Sequence, residues 1–395
     1  MKRFFALLLV FVLFAAACGS DDDGETGSDD SSTTTAASGD EAADGGDEAA
    51  DEAADEMSDE AADEMSDEAA DEMSDEAADG EMMELEELNV AYFAEWPTPN
   101  QIGQADGSFG DAVGVPINWV PFANGGEMAE AMESGDIDIS YSQGLTPFAN
   151  FANNGADIRI VGVAVSYAEA DNCVARGELG VTQENAAETL AGATVMTPIG
   201  NVTHYKMLEM MSFLGVNLDD LTIVPAESGP TTAAAFEAGD IDVGCAFGGS
   251  VVTMLDAGGN VIMTGAEQEA EIGIFTYDIV SIPTGFGEEY PDVVTNFLSA
   301  TQDFNDTWAA DPDTNNPTIA QAAGMEDVGN FLAGELWFSF PTLEEQAGPD
   351  WLGGYVQENM KEQLQTFVDT GEIDSVLDDF SPFVDTTYLE AAMAG

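Results

Sequence analysis

The six-residue pattern Glu-x-Gly-Asp-Ile-Asp occurs twice, at 133–138 and 237–242, 104 residues apart. Each copy closes the same local arrangement. Met128-Ala-Glu-Ala-Met-Glu-Ser134 and Thr231-Thr-Ala-Ala-Ala-Phe-Glu-Ala238 read as helices. Gly135 and Gly239 are the stops, since glycine accepts the left-handed backbone that ends a helix. Asp-Ile-Asp-Ile139 and Asp-Ile-Asp-Val243 then alternate as strands do. One such unit is a weak signal; two equivalent ones predict two similarly built α/β lobes. Further strands are expected at Leu88–Tyr92, Ile158–Val165, Thr194–Met196, Leu221–Val224 and Tyr277–Ile282, and helices at 202–214, 291–309 and 354–369. Strands alternating with helices argue for mostly parallel sheets, with ligands bound at strand C-terminal ends.

Charge narrows the partners. The chain has 395 residues, with 6 Lys+Arg against 78 Asp+Glu, a formal net charge of −72. Such a chain cannot neutralise phosphates, so nucleic acid is excluded, as is adsorption to an anionic membrane surface. Residues 19–87 carry 30 acidic groups and no basic one. Residues 88–395 carry 48 acidic groups and only Arg159, Arg176, Lys206 and Lys361, a balance of −44. This longer stretch is rich enough in apolar residues to bury a core, and its Lys-poor composition resembles that of salt-adapted proteins. His204 is the single histidine, which excludes His-rich metal sites. No P-loop and no Gly-x-Ser-x-Gly elbow occurs. Asp311-Pro-Asp313-Thr-Asn315 starts like a calcium loop, but Asn316 and Ala322 stand where Gly and Glu are needed, and it reads as an ordinary loop. No catalytic residue, metal or cofactor is therefore expected.

The N-terminus reads as an export signal over residues 1–17. Met1-Lys2-Arg3 is its positive start, and Phe4 to Phe14 an apolar stretch too short for a comfortable membrane span. Ala15-Ala16-Ala17 before Cys18 resembles a bacterial lipobox, which makes Cys18 the lipidated first residue of the mature chain; simple signal cleavage is the alternative. Residues 18–87 read as an acidic tether, too polar to offset chain entropy. Within it Asp51-Glu-Ala-Ala-Asp-Glu-Met-Ser58 repeats at 59–66 and 67–74, and half of it again from Asp75. As a flexible coil the tether spans about 45 Å r.m.s..

An exported, tethered, two-lobed protein without catalytic signatures fits a solute-binding protein. From Leu88 to about Phe383 the chain resembles the periplasmic taurine- and sulfonate-binding proteins of ABC importers. The resemblance is carried by Asn89-Val-Ala-Tyr92, Gln104-Ala-Asp106, Gly135-Asp-Ile137, Thr146-Pro147, Thr203-His-Tyr205, Gly239-Asp-Ile-Asp242 and Asp278. The Gly-Asp-Ile motif belongs to the wider group of nitrate, sulfonate and thiamine-precursor binders; Thr203-His204-Tyr205 with Asp278 belongs to the taurine branch. The resemblance implies a type II periplasmic-binding-protein fold with two crossover strands as hinge. Lobe 1 is expected over 88–167 and 279–395, and lobe 2 over 168–278. It further implies a monomer, a small-molecule ligand (taurine or a related sulfonate), and the permease and ATPase subunits of an importer as partners.

The residues suit that chemistry. A sulfonate spreads its charge over three oxygens, so a helix N-terminus following Gly200 suits it without arginine. Asn201, Thr203 and His204 offer side-chain donors there, unless they merely cap the helix. Gln143 and Thr146 stand at the analogous end in the first lobe. Asp278 and Glu95 are candidate acceptors for an ammonium, or else solvated surface acids. Trp96 and Phe247 are candidate walls for a short alkyl segment, and Phe247 equally a core residue. Cys173 and Cys245 lie on strand-like segments of one lobe, where an oxidising compartment favours a disulfide over two buried thiols. Other readings remain: a betaine-type zwitterion, nitrate or thiamine-precursor ligand, an extracellular enzyme on the same fold, or a structural surface protein.

Overall fold

The computed structural model describes residues 85–332 and 338–395. The signal segment 1–17, Cys18 and the tether up to residue 84 lie outside the described residues.

Eleven strands make two sheets among the described residues. In chain order they are β1 (Leu88–Phe93), β2 (Ile117–Phe122), β3 (Ile139–Gly144), β4 (Ile158–Tyr167), β5 (Asp171–Arg176), β6 (Thr194–Thr197), β7 (Thr222–Pro225), β8 (Val243–Phe247), β9 (Gly259–Val261), β10 (Thr276–Pro283) and β11 (Phe338–Ser339). The first sheet has the order β11-β4-β10-β3-β1-β2 and the second β7-β6-β8-β5-β9. Within the first, β1 pairs in parallel with β2 and β3, while β10 runs antiparallel to β3 and β4, and β11 antiparallel to β4. Within the second, β6 is parallel to β7 and β8, and β5 is antiparallel to β8 and β9. Most strands of each sheet thus point one way. The main exceptions are β5 and β10, the strands by which the chain enters the second sheet and returns to the first. A crossing chain enters its new sheet from the end its neighbours leave, so it must run against them.

The duplicated motif explains itself in atoms. Asn124 and Ser228, 104 residues apart, cap the helices Gly125–Ser134 and Gly229–Ala238 by accepting the N–H of Glu127 and Thr231. Gly135 and Gly239 end those helices at φ 82° and 79°. The first Asp of each motif donates its N–H back to the helix, Asp136 to Ala131 O and Asp240 to Ala235 O. The second Asp clamps a neighbouring strand. Asp138 Oδ2 accepts the Asn89 N–H at the head of β1, and Asp242 Oδ2 accepts the Thr194 N–H at the head of β6, both at 2.8 Å. Each returns its own N–H to the same residue's carbonyl at 3.0 Å. The motif therefore fixes strand register in both sheets and touches no ligand cleft.

The expected helices run over Val202–Phe213, Pro291–Ala310 and Tyr355–Asp369. One expectation is corrected. Asp311 to Asn315 is no loop: Asp311 caps a helix, Pro312–Ala323, by accepting the Thr314 N–H, and Pro312 takes the first turn, where proline's missing donor costs nothing. Cys173 on β5 and Cys245 on β8 are directly opposed and joined by a disulfide, with Cα atoms 4.0 Å apart. Among the described residues no helix is long and apolar enough to cross a membrane.

Candidate functional site

The reversal of β5 and β10 has a geometric result. The N-terminal ends of these two strands lie beside the C-terminal ends of their neighbours, so a cleft collects residues from both kinds of end. Its walls come from Phe93 ending β1 and Trp96 after it, Gly144 ending β3, Tyr167 ending β4, Phe247 ending β8, Asp171 opening β5 and Asp278 near the start of β10. Asn201, Val202 and Thr203 complete it from the start of the helix that follows β6. The space among these walls, part of it open to solvent, is about 310 Å³.

Two carboxyl groups define its chemistry. Asp278 is 3% exposed; its Oδ2 accepts the Ser142 hydroxyl at 2.9 Å and its Oδ1 the Tyr167 hydroxyl at 3.0 Å. Ser142 in turn accepts the Trp96 Nε1–H at 3.0 Å. Burial, reinforced by the nearby Asp171, pushes the Asp278 carboxyl up to about 8. Asp171, 2% exposed, accepts the Thr203 hydroxyl on Oδ2 at 2.8 Å, and burial raises it to about 6. Its Oδ1 has no hydrogen-bond partner. Lys206 is the nearby cation, itself buried, but its ammonium donates to the carbonyls of Ala168 and Asp171 and does not line the cleft.

The opposite chemistry comes from backbone. No side chain caps the helix that Asn201 opens; His204 and Tyr205 donate to Asn201 O, so the N–H groups of Val202 and Thr203 remain at its tip. The helices Leu145–Asn153 and Gly249–Asp256 begin at Gly144 and Gly248, again 104 residues apart and again without a side-chain cap. A side chain at Gly144 would put its Cβ 2.8 Å from Val202, the first residue of the helix Val202–Phe213, so only glycine lets the two helix tips approach. Ser142 and Glu95 are the non-glycine residues with positive φ among those described, at 63° and 60°. Both stand at the cleft's edge, where Ser142 holds Asp278 and Glu95 precedes Trp96. The aromatic wall is continuous: Trp96 meets Tyr167 at 4.9 Å, Phe338 at 4.7 Å and Phe247 at 6.1 Å between ring centres.

Of the residues expected from sequence, Trp96, Asn201, Thr203, Phe247 and Asp278 line this cleft. Four do not. Gln143 is spent inside the first sheet, donating to Gly125 O at 2.7 Å and accepting Ser281 at 3.1 Å. Thr146 donates to Gln363 at 2.6 Å. His204 turns to the helix Tyr355–Asp369, with its ring 5.3 Å from Phe367. Its Nδ1 accepts the Gly200 N–H at 3.3 Å, its Nε2 lies 3.6 Å from Glu372, and burial lowers it to about 4. Glu95 sends its carboxylate to a neighbouring groove with Met325 and Asp327. Sequence reasoning missed Asp171, Ser142, Tyr167, Phe93 and Gly144. Only Asp171 carried a signal, as an acid opening a strand beside a paired cysteine. Among the described residues no group of three or more His, Cys, Asp or Glu is placed to hold a metal ion.

The architecture is the two-lobed α/β fold of periplasmic binding proteins. It superposes on the periplasmic aliphatic sulphonate binding protein SsuA from Escherichia coli with a TM-score of 0.61 at 17% identity, covering 74% of this chain and 90% of that one. The periplasmic nitrate-binding protein NrtA from Synechocystis PCC 6803 gives a TM-score of 0.62 at 12% identity, with coverage of 79% and 89%. In sequence, the chain is 26% identical over 300 residues to the taurine-binding periplasmic protein of Escherichia coli (strain K12), spanning 74% of this chain and 89% of that protein. The NMT1/THI5-like family model matches residues 98–315, and the chain belongs to that family.

Proposed function

We propose that this protein is the extracytoplasmic substrate-binding component of an ABC importer and that its ligand is taurine or a closely related amino-sulfonate. The observation that carries this reading is the polarity of the cleft, with two buried carboxyls, Asp171 and Asp278, near uncapped helix tips and no cationic side chain in the lining. A small zwitterion answers both ends. Its sulfonate meets backbone N–H groups, its ammonium a carboxylate, and its short alkyl segment Trp96 and Phe247. Nitrate would leave the carboxyls unanswered, and a quaternary betaine could not donate to them. Lobe 1 (88–167 with 276–395, since all of β10 lies in the first sheet) and lobe 2 (168–275) close on the guest about the crossings made by β4 and β10. Export, the Cys18 lipid anchor and a monomeric state belong to the same reading, with permease and ATPase subunits as partners. No reaction is assigned: the only histidine is turned toward the helix Tyr355–Asp369, so the cleft holds no hydroxyl–imidazole pair.

The test is a calorimetric and thermal-shift screen of the full chain against taurine, ethanesulfonate, glycine betaine and nitrate. Taurine should bind most tightly and leave unchanged in chemical form; at 100 times its dissociation constant it adds about 2.7 kcal/mol to stability. Silence toward taurine with a response to betaine or nitrate would replace the ligand, and turnover would replace the class.

A further inference from the structure

We infer that Asp171 is a second ammonium acceptor, so that the guest's nitrogen is gripped from both sheets and must carry at least two N–H donors. The inference rests on the amino-sulfonate reading above and sharpens it.

The argument begins with an unfilled valence. Asp171 is 2% exposed, lines the cleft, and spends only Oδ2, on Thr203. Its Oδ1 is buried without a partner. A buried, unanswered carboxylate oxygen is costly, and such groups persist where a ligand completes them. A charge inventory gives the same answer. Asp171, Asp278 and Lys206 are buried together at this end of the cleft, with Tyr167 feeling the charge of both acids. That is two acids to one base, and Lys206 is already committed to two carbonyls. With both acids ionised the cluster is one positive charge short, which an ammonium supplies.

The placement gives specificity. Asp278 belongs to β10 in the first sheet and Asp171 to β5 in the second, so one nitrogen that donates to both ties the sheets together. A primary or secondary ammonium has the two donors this needs. A tertiary ammonium has one and a quaternary none, although all carry the same charge. Charge alone would rank these guests almost equally; two-sided hydrogen bonding separates them by donor count.

The experiment is a cycle of protein and ligand changes, read by calorimetry on the full chain. Taurine, N-methyltaurine, N,N-dimethyltaurine and ethanesulfonate are titrated into the wild type and the Asp171→Asn variant. In the wild type, affinity should drop most sharply between the mono- and dimethyl compounds. Asp171→Asn should weaken taurine about tenfold or more, change ethanesulfonate by less than about threefold, and flatten the dimethylation step. Ethanesulfonate binding also certifies that the variant is folded. Equal weakening of taurine and ethanesulfonate, or an unchanged methylation profile, overturns the role of Asp171 while leaving the amino-sulfonate reading standing. Wild-type protein that binds neither taurine nor ethanesulfonate overturns that reading and this inference with it.

Discussion

Asp278 and Asp171 share one buried space, and the charge on Asp171 adds to the cost of ionising Asp278. The groups facing Asp278 are Ser142, Tyr167 and Trp96, all donors, with Asp171 as the other acid and Lys206 as the nearby cation. With its carboxyl near 8, Asp278 holds a proton in the empty cleft at pH 7. An ammonium guest favours the ionised form, so binding must expel that proton. Taurine affinity should therefore climb as pH rises toward about 8 and level off above it. Calorimetry in buffers of different ionisation heat would register the release, and a proton count of zero would contradict it. The Asp278→Asn variant should release less and bind taurine about tenfold more weakly, ~1.4 kcal/mol. Stability follows by linkage. A folded value raised above the ordinary 3.8 gives a contribution fully present below 3.8 and lost as pH climbs through about 8. His204 does the reverse: buried and neutral, it supports the fold above its ordinary 6.5 and withdraws support as pH falls through about 4.

At the scale of elements, the disulfide and the paired glycines make separate predictions. Cys173 and Cys245 are almost fully buried and link β5 to β8 across 72 residues of chain. Replacing both with Ala should cost ~2–4 kcal/mol in denaturant unfolding and leave ligand affinity nearly unchanged. Gly144→Ala should do the opposite, leaving unfolding little altered but weakening taurine and ethanesulfonate alike, by about tenfold. Its methyl would strike Val202, 2.8 Å away, and so oppose the approach of the lobes. These elements also mark what the sequence could disclose. The duplicated helix-glycine-strand unit was legible because a left-handed glycine and strict alternation are local requirements. β2 was not, since the adjacent apolar pair Trp119-Val120 breaks the alternation and Pro121 reads as a strand breaker, tolerated here on an outer strand. Asp311 was misread because an Asp-Pro-Asp start suits a turn as well as a helix cap. In the site, Asn201, Thr203 and Asp278 stood in patterns that point to a pocket. Asp171 was one acid among many, and the role of Ser142 depends on a φ of 63° that no residue type announces. His204 carried a motif but faces another helix, and only tertiary packing decides that.

At the scale of the molecule, residues 88–395 carry −44 on four basic side chains. Among the described residues Arg159, Arg176 and Lys361 each meet one acid within 4.0 Å, so most of that charge is unpaired. Screening falls from about 10 Å at 0.1 M salt to about 3 Å at 1 M, and the melting temperature should rise over that range. A flat profile would mean that the acids are too far apart to repel. The strand order carries a further consequence, for the order in which the chain can fold. All strands of the second sheet lie within residues 171–261, a continuous stretch that can assemble by itself once it exists. The first sheet cannot, because β10, the strand between β3 and β4, is made last of the three, after the whole second sheet has been laid down. Until it arrives, β3 and β4 hold open edges that invite pairing with another chain. Pulsed hydrogen exchange during refolding should find β5, β6 and β8 protected before β3 and β4.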